Sequence, residues 1–419
     1  MMNTEVSLRN IKGTVNAPSS KSDVHRILIA SALSDRPTKL LINSASEDIE
    51  ATCSCLKMMG ADIKKDGTGI IVTPIKNVPD EAVLNCVESG STMRFLMPVA
   101  SALGINATFT GSDRLTQRPH APLLDALKKN GVTVHEGFPI KLSEQLESGV
   151  FEIQGDVSSQ FISGLMFALP LLEGNSEIRL TTPAESKPYI DMTVSTLKNF
   201  NIEIAEKGNS YFINGNGKYI SPEEITAQGD WSNGAFWLCL GALSCITVNG
   251  LNNYSLQGDR RIIEILRSMG ADVTLNYNSV SVKKNELHGI KIDASDIPDL
   301  VPVISALACF AQGTTTITNA KRLRFKESDR LKAVADLIET AGGDVTELPD
   351  SLIINGGMKL KDRFAFNSRN DHRMVMAATL FSFASDVTIT DAQAVNKSYP
   401  HFFNDIKALG GVCNVINDR

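Results

Sequence analysis

The residues of this chain that could do chemistry stand at the starts of helical segments. Ala17-Pro18-Ser19-Ser20-Lys21-Ser22-Asp23-Val24-His25-Arg26 reads as a loop that turns into a helix. Pro18 ends an extended stretch, Ser20 and Ser22 are good N-cap residues, and an apolar run over residues 27–33 follows. Backbone N–H groups at a helix start attract an anion, and the helix dipole adds to the pull. Lys21 stands at that entrance and Arg26 lies about one turn inside it. Alone, the stretch reads equally well as an ordinary capped helix with a solvated Lys and Arg.

The arrangement recurs along the chain. It returns as Glu88-Ser89-Gly90-Ser91-Thr92-Met93-Arg94 with Asp113-Arg114-Leu115-Thr116-Gln117-Arg118-Pro119, and as Ser158-Ser159-Gln160 with Ser186-Lys187-Pro188-Tyr189. Further on come Asp230-Trp231-Ser232-Asn233 with Gln257-Gly258-Asp259-Arg260-Arg261, then Ile297-Pro298-Asp299 with Arg324-Phe325-Lys326-Glu327-Ser328-Asp329-Arg330. The last pair is Arg369-Asn370-Asp371-His372-Arg373 with Lys397-Ser398-Tyr399-Pro400. Helix caps need Ser, Thr or Asp at such positions. They do not need Lys21, Arg94, Arg114, Arg330, Arg373 and Lys397 as well. Fixed cations at helix starts suit a small, highly anionic ligand bearing phosphate or carboxylate groups.

The elements that must position these residues form a repeat. A helical segment ending in a small-residue turn before a short strand occurs at Met59-Gly60-Ala61, Asn130-Gly131-Val132, Phe200-Asn201-Ile202, Met269-Gly270-Ala271, Ala341-Gly342-Gly343 and Leu409-Gly410-Gly411. The period is about 70 residues, too long for a solenoid. Gly, or Asn201 in the third unit, supplies the left-handed residue that ends each helix. One set of helices is expected to begin near Ser22, Ser91, Ser158, Ser232, Asp299 and Asp371, and a second near Glu47, Pro119, Pro188, Gly258, Lys326 and Ser398. Short β-branched runs such as Thr315-Thr316-Ile317-Thr318 lie between them, so each unit reads as βαβαββ. The first-set helices are apolar nearly all round, which fits helices buried inside sheets.

Composition excludes several classes. With 419 residues, 42% hydrophobic and 21% charged, the chain reads as a soluble globular protein of two domains. A net charge of −6 argues against a general nucleic-acid binder. Glu5, Arg9 and Lys12 interrupt any signal-peptide core, and the greasiest stretch, residues 234–248, is too short to span a bilayer. Seven cysteines without a CxxC pair and six scattered histidines without HExxH point to reduced structural thiols, a cytoplasmic location and no metal site.

The motifs together resemble those of the 5-enolpyruvylshikimate-3-phosphate synthase family. The residues that carry the resemblance are Ala17 to Ser22 with Arg26, Gly90 with Arg94, Arg114 with Arg118-Pro119, Ser158-Ser159-Gln160, Ser186-Lys187-Pro188-Tyr189-Ile190-Asp191, Lys326-Glu327-Ser328-Asp329-Arg330-Leu331 and Asp371-His372-Arg373-Met374. They come in order and cover nearly the whole chain. The resemblance implies an α/β fold, a two-domain inside-out α/β barrel of six βαβαββ repeats, three per domain. It implies one domain of residues 1–13 with 229–419 and another of 14–228, with crossovers near 13–18 and 226–230.

The resemblance also implies the activity: transfer of the enolpyruvyl group of phosphoenolpyruvate to the 5-hydroxyl of shikimate 3-phosphate, with phosphate leaving a tetrahedral intermediate. It places Lys21, Gly90, Arg114, Gln160, Arg330, Arg373 and Lys397 around phosphoenolpyruvate. It places Lys21, Ser22, Arg26, Ser158, Ser159, Gln160, Ser186, Tyr189, Asp299 and Lys326 around shikimate 3-phosphate. Glu327 is the expected general acid, Asp299 the base and Lys21 a third member of the catalytic set. No cofactor, metal, nucleic acid or membrane is implied, a monomer is expected, and the herbicide glyphosate is expected to take the phosphoenolpyruvate place. Three positions depart from the family pattern. Glu88 and Ser91 stand where Asn and Thr are usual, and Arg322 stands where Asn often contacts shikimate 3-phosphate, so that role is not carried over. The related cell-wall transferase acting on UDP-N-acetylglucosamine carries a loop Cys, which Gly111-Ser112-Asp113-Arg114-Leu115-Thr116 lacks. A non-catalytic phosphometabolite sensor would have no use for Lys21, Asp299, Glu327 and Lys397 together.

Overall fold

Among the described residues the strands form six short sheets, each of four strands. The structure is a computed structural model and describes residues 2–9, 11–67, 69–135 and 137–416. The chain divides into two compact units, one of residues 1–18 with 228–419 and one of 19–227. Residues 14–18 therefore go with the first unit rather than opening the second; positions 1 and 417–419 of the expected division lie outside the described residues.

All six sheets share one pattern, a parallel pair followed by two antiparallel steps. In the sheet of Glu81–Asn85, Asn106–Thr110, Ile140–Ser143 and Thr133–His135, Asn85 pairs in parallel with Thr110, then Phe109 pairs antiparallel with Ile140 and Val134 with Leu142. Parallel neighbours require a crossover, and here it is the helix Gly90–Ala102. Along Glu81–Asn85 side chains alternate exposed and buried, so each sheet has one wet face and one face on the core.

At two places this regularity is exchanged. Strand Lys12–Asn16 leads into helix Lys21–Ala32 and strand Thr38–Leu41, yet it pairs in parallel with Cys245–Asn249. Strand Glu224–Thr226 leads into helix Trp231–Leu243, yet it pairs in parallel with Thr38–Leu41. The swap gives each unit three complete sheets. Strand Asn3–Ser7 also pairs far along the sequence, sitting between Asp386–Thr390 and Val412–Ile416.

Each unit has its own core. The helices Lys21–Ala32, Gly90–Ala102 and Ser159–Ala168 are buried on nearly every side in one, and Trp231–Leu243, Val301–Ala308 and His372–Phe381 in the other. The turns that end the outer helices carry positive φ at Gly60, Gly131, Asn201, Gly270, Gly342 and Gly410, as the repeat requires. Two second-set helices begin later than expected. Arg330–Ala341 starts four residues after Lys326 because Asp329 caps it, accepting from the Lys332 N–H at 3.1 Å. Phe402–Ala408 starts beyond Pro400, which holds the residue before it out of the helical region. All seven cysteines are unpaired, and among the described residues no helix is long and apolar enough to cross a membrane.

Candidate active site

In the unit of residues 19–227, three inner helices begin with the residues singled out above. Ser20 caps Lys21–Ala32 by accepting from the Asp23 N–H. Lys21 is mostly buried, and its Nζ lies 2.8 Å from Asp48 Oδ2 in the first turn of helix Glu47–Met58. Asp48 had no signal in the sequence beyond being acidic at a helix start. Arg26 is 2% exposed and ties two helices together. Its Nε donates to Thr193 Oγ1 at 2.8 Å, Nη1 to the Ser22 carbonyl at 2.6 Å and Nη2 to the Tyr189 carbonyl at 2.8 Å. Burial pulls its guanidinium down to about 10, against the opposing charges of Asp23 and Tyr189. At any working pH Arg26 is therefore still a cation, one largely engaged in holding Ser22 and Tyr189 in place.

Ser89 caps the helix that begins at Gly90, accepting from the Thr92 N–H at 3.2 Å. Gln160, two residues after the cap Ser158, is held from both sides: Arg94 Nη1 donates to its Oε1 at 2.7 Å, and its Nε2 donates to Ser91 Oγ at 2.8 Å. Ser91 thus fills the place where Thr is usual with a working hydroxyl. Arg118 lies against Gly90, so close that a Cβ there would meet Arg118 Nη1 at 2.6 Å. Arg114 is half-buried on the short helix Asp113–Thr116, where Nη1 donates to Gln117 Oε1 at 3.2 Å. Ser159 and Ser186 are buried; Ser186 takes a left-handed φ of 55° at the start of Lys187–Asn199.

In the other unit the organising residue is Arg330, 1% exposed. Its Nε donates to Asp371 Oδ2 at 2.9 Å, Nη1 to Asp299 Oδ1 at 2.5 Å and Nη2 to Glu327 Oε2 at 2.7 Å. One guanidinium fork thereby joins three carboxylates from three segments. Asp371 is wholly buried; it also accepts from the Ser328 hydroxyl at 2.9 Å and caps His372–Phe381 through the Arg373 N–H. Lys326 Nζ lies 3.7 Å from Asp299 Oδ1. Burial alone would raise Asp299, but Lys326, Arg330 and Arg373 outweigh it and hold the carboxyl well below its ordinary value. Burial lowers Lys326, against the pull of Asp299. Arg373 Nη1 donates to Asn233 Oδ1 at 3.0 Å, and Asn233 Nδ2 donates to Ser398 Oγ at 3.0 Å, next to Lys397. Lys397 is buried and donates to the Asn370 carbonyl.

The structure therefore brings Asp299, Lys326, Glu327 and Arg330 together, and separately gathers Gly90, Ser91, Arg94 and Gln160. Sequence reasoning missed Asp48 altogether, and it named Asp371 and Asn233 within their motifs without their role of holding the expected cations. Nothing in the type of any of the three, polar or acidic near a helix start, announces that role. Within the Arg324–Arg330 motif Phe325 is exposed, and Arg324 forms partly exposed ion pairs with Asp329 and Glu347.

Comparison with known proteins shows the family and the fold. The sequence profile of the family described as EPSP synthase (3-phosphoshikimate 1-carboxyvinyltransferase) matches residues 7–406. The chain is 42% identical over 421 residues to the 3-phosphoshikimate 1-carboxyvinyltransferase of Clostridium kluyveri, covering 98% of each chain. It is 43% identical over 413 residues to that of Clostridium acetobutylicum, covering 96% of each. Among solved structures, EPSP synthase from Acinetobacter baumannii superposes with a TM-score of 0.83 at 24% identity over 100% of both chains. The enolpyruvyl transferase NikO from Streptomyces tendae superposes at 0.81 with 17% identity over 99% of both, a likeness of fold. The chain belongs to the EPSP synthase family.

Proposed function

We propose that this protein transfers the enolpyruvyl group of phosphoenolpyruvate to the 5-hydroxyl of shikimate 3-phosphate and releases phosphate, the step that leads toward chorismate and the aromatic amino acids. The observation that carries the reading is the Arg330 fork. It holds two largely covered carboxylates, Asp299 and Glu327, on one guanidinium, with Lys326 beside Asp299. The reaction needs an acid for the vinyl CH₂ and a base for the hydroxyl proton, and both must sit among cations that receive phosphate and carboxylate groups.

In this reading Asp299 is the base. Its depressed value keeps it unprotonated but makes it a weak acceptor. Substrate phosphate and carboxylate, by drawing on Lys326, Arg330 and Arg373, would restore its basicity when the reactants are in place. Glu327 is the acid, and Lys21 serves both substrates. Arg114, Gln160, Arg330, Arg373, Lys397 and the Gly90 helix start receive phosphoenolpyruvate. Ser22, Arg26, Ser158, Ser159, Gln160, Ser186, Tyr189, Asp299 and Lys326 receive shikimate 3-phosphate, with Arg26 acting through the backbone it holds. The protein works as a monomer in the cytoplasm. The test is release of inorganic phosphate from phosphoenolpyruvate with shikimate 3-phosphate or UDP-N-acetylglucosamine as acceptor. Turnover with the first alone is expected; turnover with the second, or with neither, overturns the assignment.

Gly90→Ala is expected to weaken glyphosate by about 30-fold, or about 2 kcal/mol, and phosphoenolpyruvate by less. From sequence the added methyl would press on the inhibitor directly. In the structure it meets Arg118 Nη1 first, at 2.6 Å, and Arg94 Nη1 next, at 3.7 Å. Both are ends of flexible side chains, so the protein still folds, but a guanidinium must move. The longer, phosphonate-bearing inhibitor should feel that displacement more than the substrate. The inhibition constant and the KM for phosphoenolpyruvate, compared in native and variant enzyme, decide it. Equal weakening of both ligands would remove Gly90 as the discriminating contact.

A further inference from the structure

The unit built around Trp231–Leu243 holds a buried carboxylate that this chemistry leaves unused and that caps no helix. Asp259 lies in the short turn Gly258–Arg261 and is 1% exposed. Its Oδ2 accepts from the hydroxyl of Ser232, the second residue of helix Trp231–Leu243. Its Oδ1 is buried and has no hydrogen-bond partner among the described residues. Three charged groups act on it from other elements: Asp230, the cap of Trp231–Leu243; Asp299, just before Val301–Ala308; and Arg373, in the first turn of His372–Phe381. Only Arg373 has the opposite sign, and its buried Nε also lacks a partner. A residue that merely fixed Ser232 would have no reason to leave one carboxylate oxygen and one guanidinium N–H unsatisfied in the same neighbourhood, since each is costly to bury alone.

We propose that Asp259 is a proton-accepting positioning residue, which takes up one proton from solvent when the anionic substrates bind and so leaves the guanidinium of Arg373 to them. The proposal rests on the transferase reading, because the substrates' own charges drive the uptake. In that reading phosphoenolpyruvate is received by Arg373, the one cation that acts on Asp259, and Arg373 acts on Asp299 as well. Before the substrates draw on Lys326, Arg330 and Arg373, those cations hold Asp299 ionised, and the proton it later accepts is the one from the 5-hydroxyl, not one from solvent. Asp259 is a good recipient for a proton from solvent. Burial, seconded by Asp299, pushes it up to about 7, while the Ser232 bond and Arg373 pull it down and Asp230 adds a smaller push upward. Added negative charge raises it further, so it gains a proton from water on binding and returns it on release.

Uptake of one proton makes binding weaken by about tenfold for each pH unit above the free-enzyme value. The experiment is the KM for phosphoenolpyruvate at saturating shikimate 3-phosphate, followed from about pH 6.5 to 9 in native, Asp259→Asn and Ser232→Ala enzyme. Above about pH 7, log KM should climb less steeply in Asp259→Asn, by about one decade per pH unit. Ser232→Ala loses a bond that favours the ionised form, so its climb should begin at higher pH. A second readout needs no substrate. A carboxyl raised in the folded state contributes stability fully below its unfolded value and loses it as pH rises through about 7. Asp259→Asn should therefore gain on the native protein in denaturant unfolding between about pH 5 and 8.5. Equal slopes in native and Asp259→Asn enzyme, with turnover intact, overturn the coupling and leave the transferase reading standing. Absence of turnover in native enzyme overturns that reading and the coupling with it. If Asp259→Asn does not fold, an unmoved onset in Ser232→Ala overturns the proposal.

Discussion

Glu327→Gln is expected to lower kcat by about 10²–10⁴-fold and to change shikimate 3-phosphate affinity by no more than about threefold. The sequence alone allowed a bland role for Glu327, as an i,i+3 partner of Arg330, and the structure shows that pair at 2.7 Å. The pair does not exclude proton transfer; it makes the substitution informative. Glutamine has the same shape, and its Oε1 can still accept from Arg330 Nη2, so the fork stays assembled. What it cannot do is give up a proton to the vinyl CH₂. Glu327→Ala would confuse the matter, because it removes the acceptor and frees Arg330 to shift. The two variants should therefore differ in stability and agree in lost turnover. Single-turnover kinetics with a separate binding measurement gives both quantities. Near-normal turnover in Glu327→Gln would leave Glu327 as a structural ion-pair partner and move the acid role elsewhere.

Much of the fold was legible because it repeats. A left-handed turn every 70 or so residues, with a capped apolar helix before each, can be counted from the sequence without knowing which strand pairs with which. The exchange of strands Lys12–Asn16 and Glu224–Thr226 could not be counted. Both read locally as regular βαβ units, and only long-range pairing shows that each adds to a sheet begun elsewhere. The helix starts near Lys326 and Ser398 were misplaced for a local reason: a cap residue and a proline competed with an apolar run, and they won. Among site residues, the cations were legible because charge at a capped helix start is unusual. Their holders were not. Asp371 was visible as a motif residue, but nothing in its type announces that it anchors Arg330, Ser328 and a helix end at once. Arg26 went the other way. The resemblance placed it at shikimate 3-phosphate, and the structure adds that three of its five N–H groups hold protein oxygens.

Arg330→Met is expected to destabilise the unit of residues 1–18 and 228–419 by about 3–5 kcal/mol, which lowers its melting temperature by on the order of 10 °C. Methionine keeps the length and apolar bulk of the stem and removes the charge. It leaves Asp371, with no exposed surface, and the largely covered Asp299 and Glu327 without the cation that joins them. Breaking a buried pair from one side costs more than the pair itself contributes, because a desolvated charge is stranded. Arg324 gives the contrast: its pairs with Asp329 and Glu347 are partly wet, and Arg324→Met should cost no more than about 1 kcal/mol. The pH dependence has a definite sign. Asp299 is depressed in the folded protein, so its contribution is present above the ordinary carboxylate value and is lost as pH falls through the folded one. The deficit of Arg330→Met should accordingly be largest near neutrality and shrink in acid. Arg330→Lys retains a charge but reaches one carboxylate where the fork reaches three, and should fall between the two. Calorimetry of the three proteins at neutral and acid pH measures this directly. If Arg330→Met and Arg330→Lys melt with the native protein and lose only turnover, then Arg330 is a ligand contact whose carboxylate partners stand unaided, and the fork does not assemble the site.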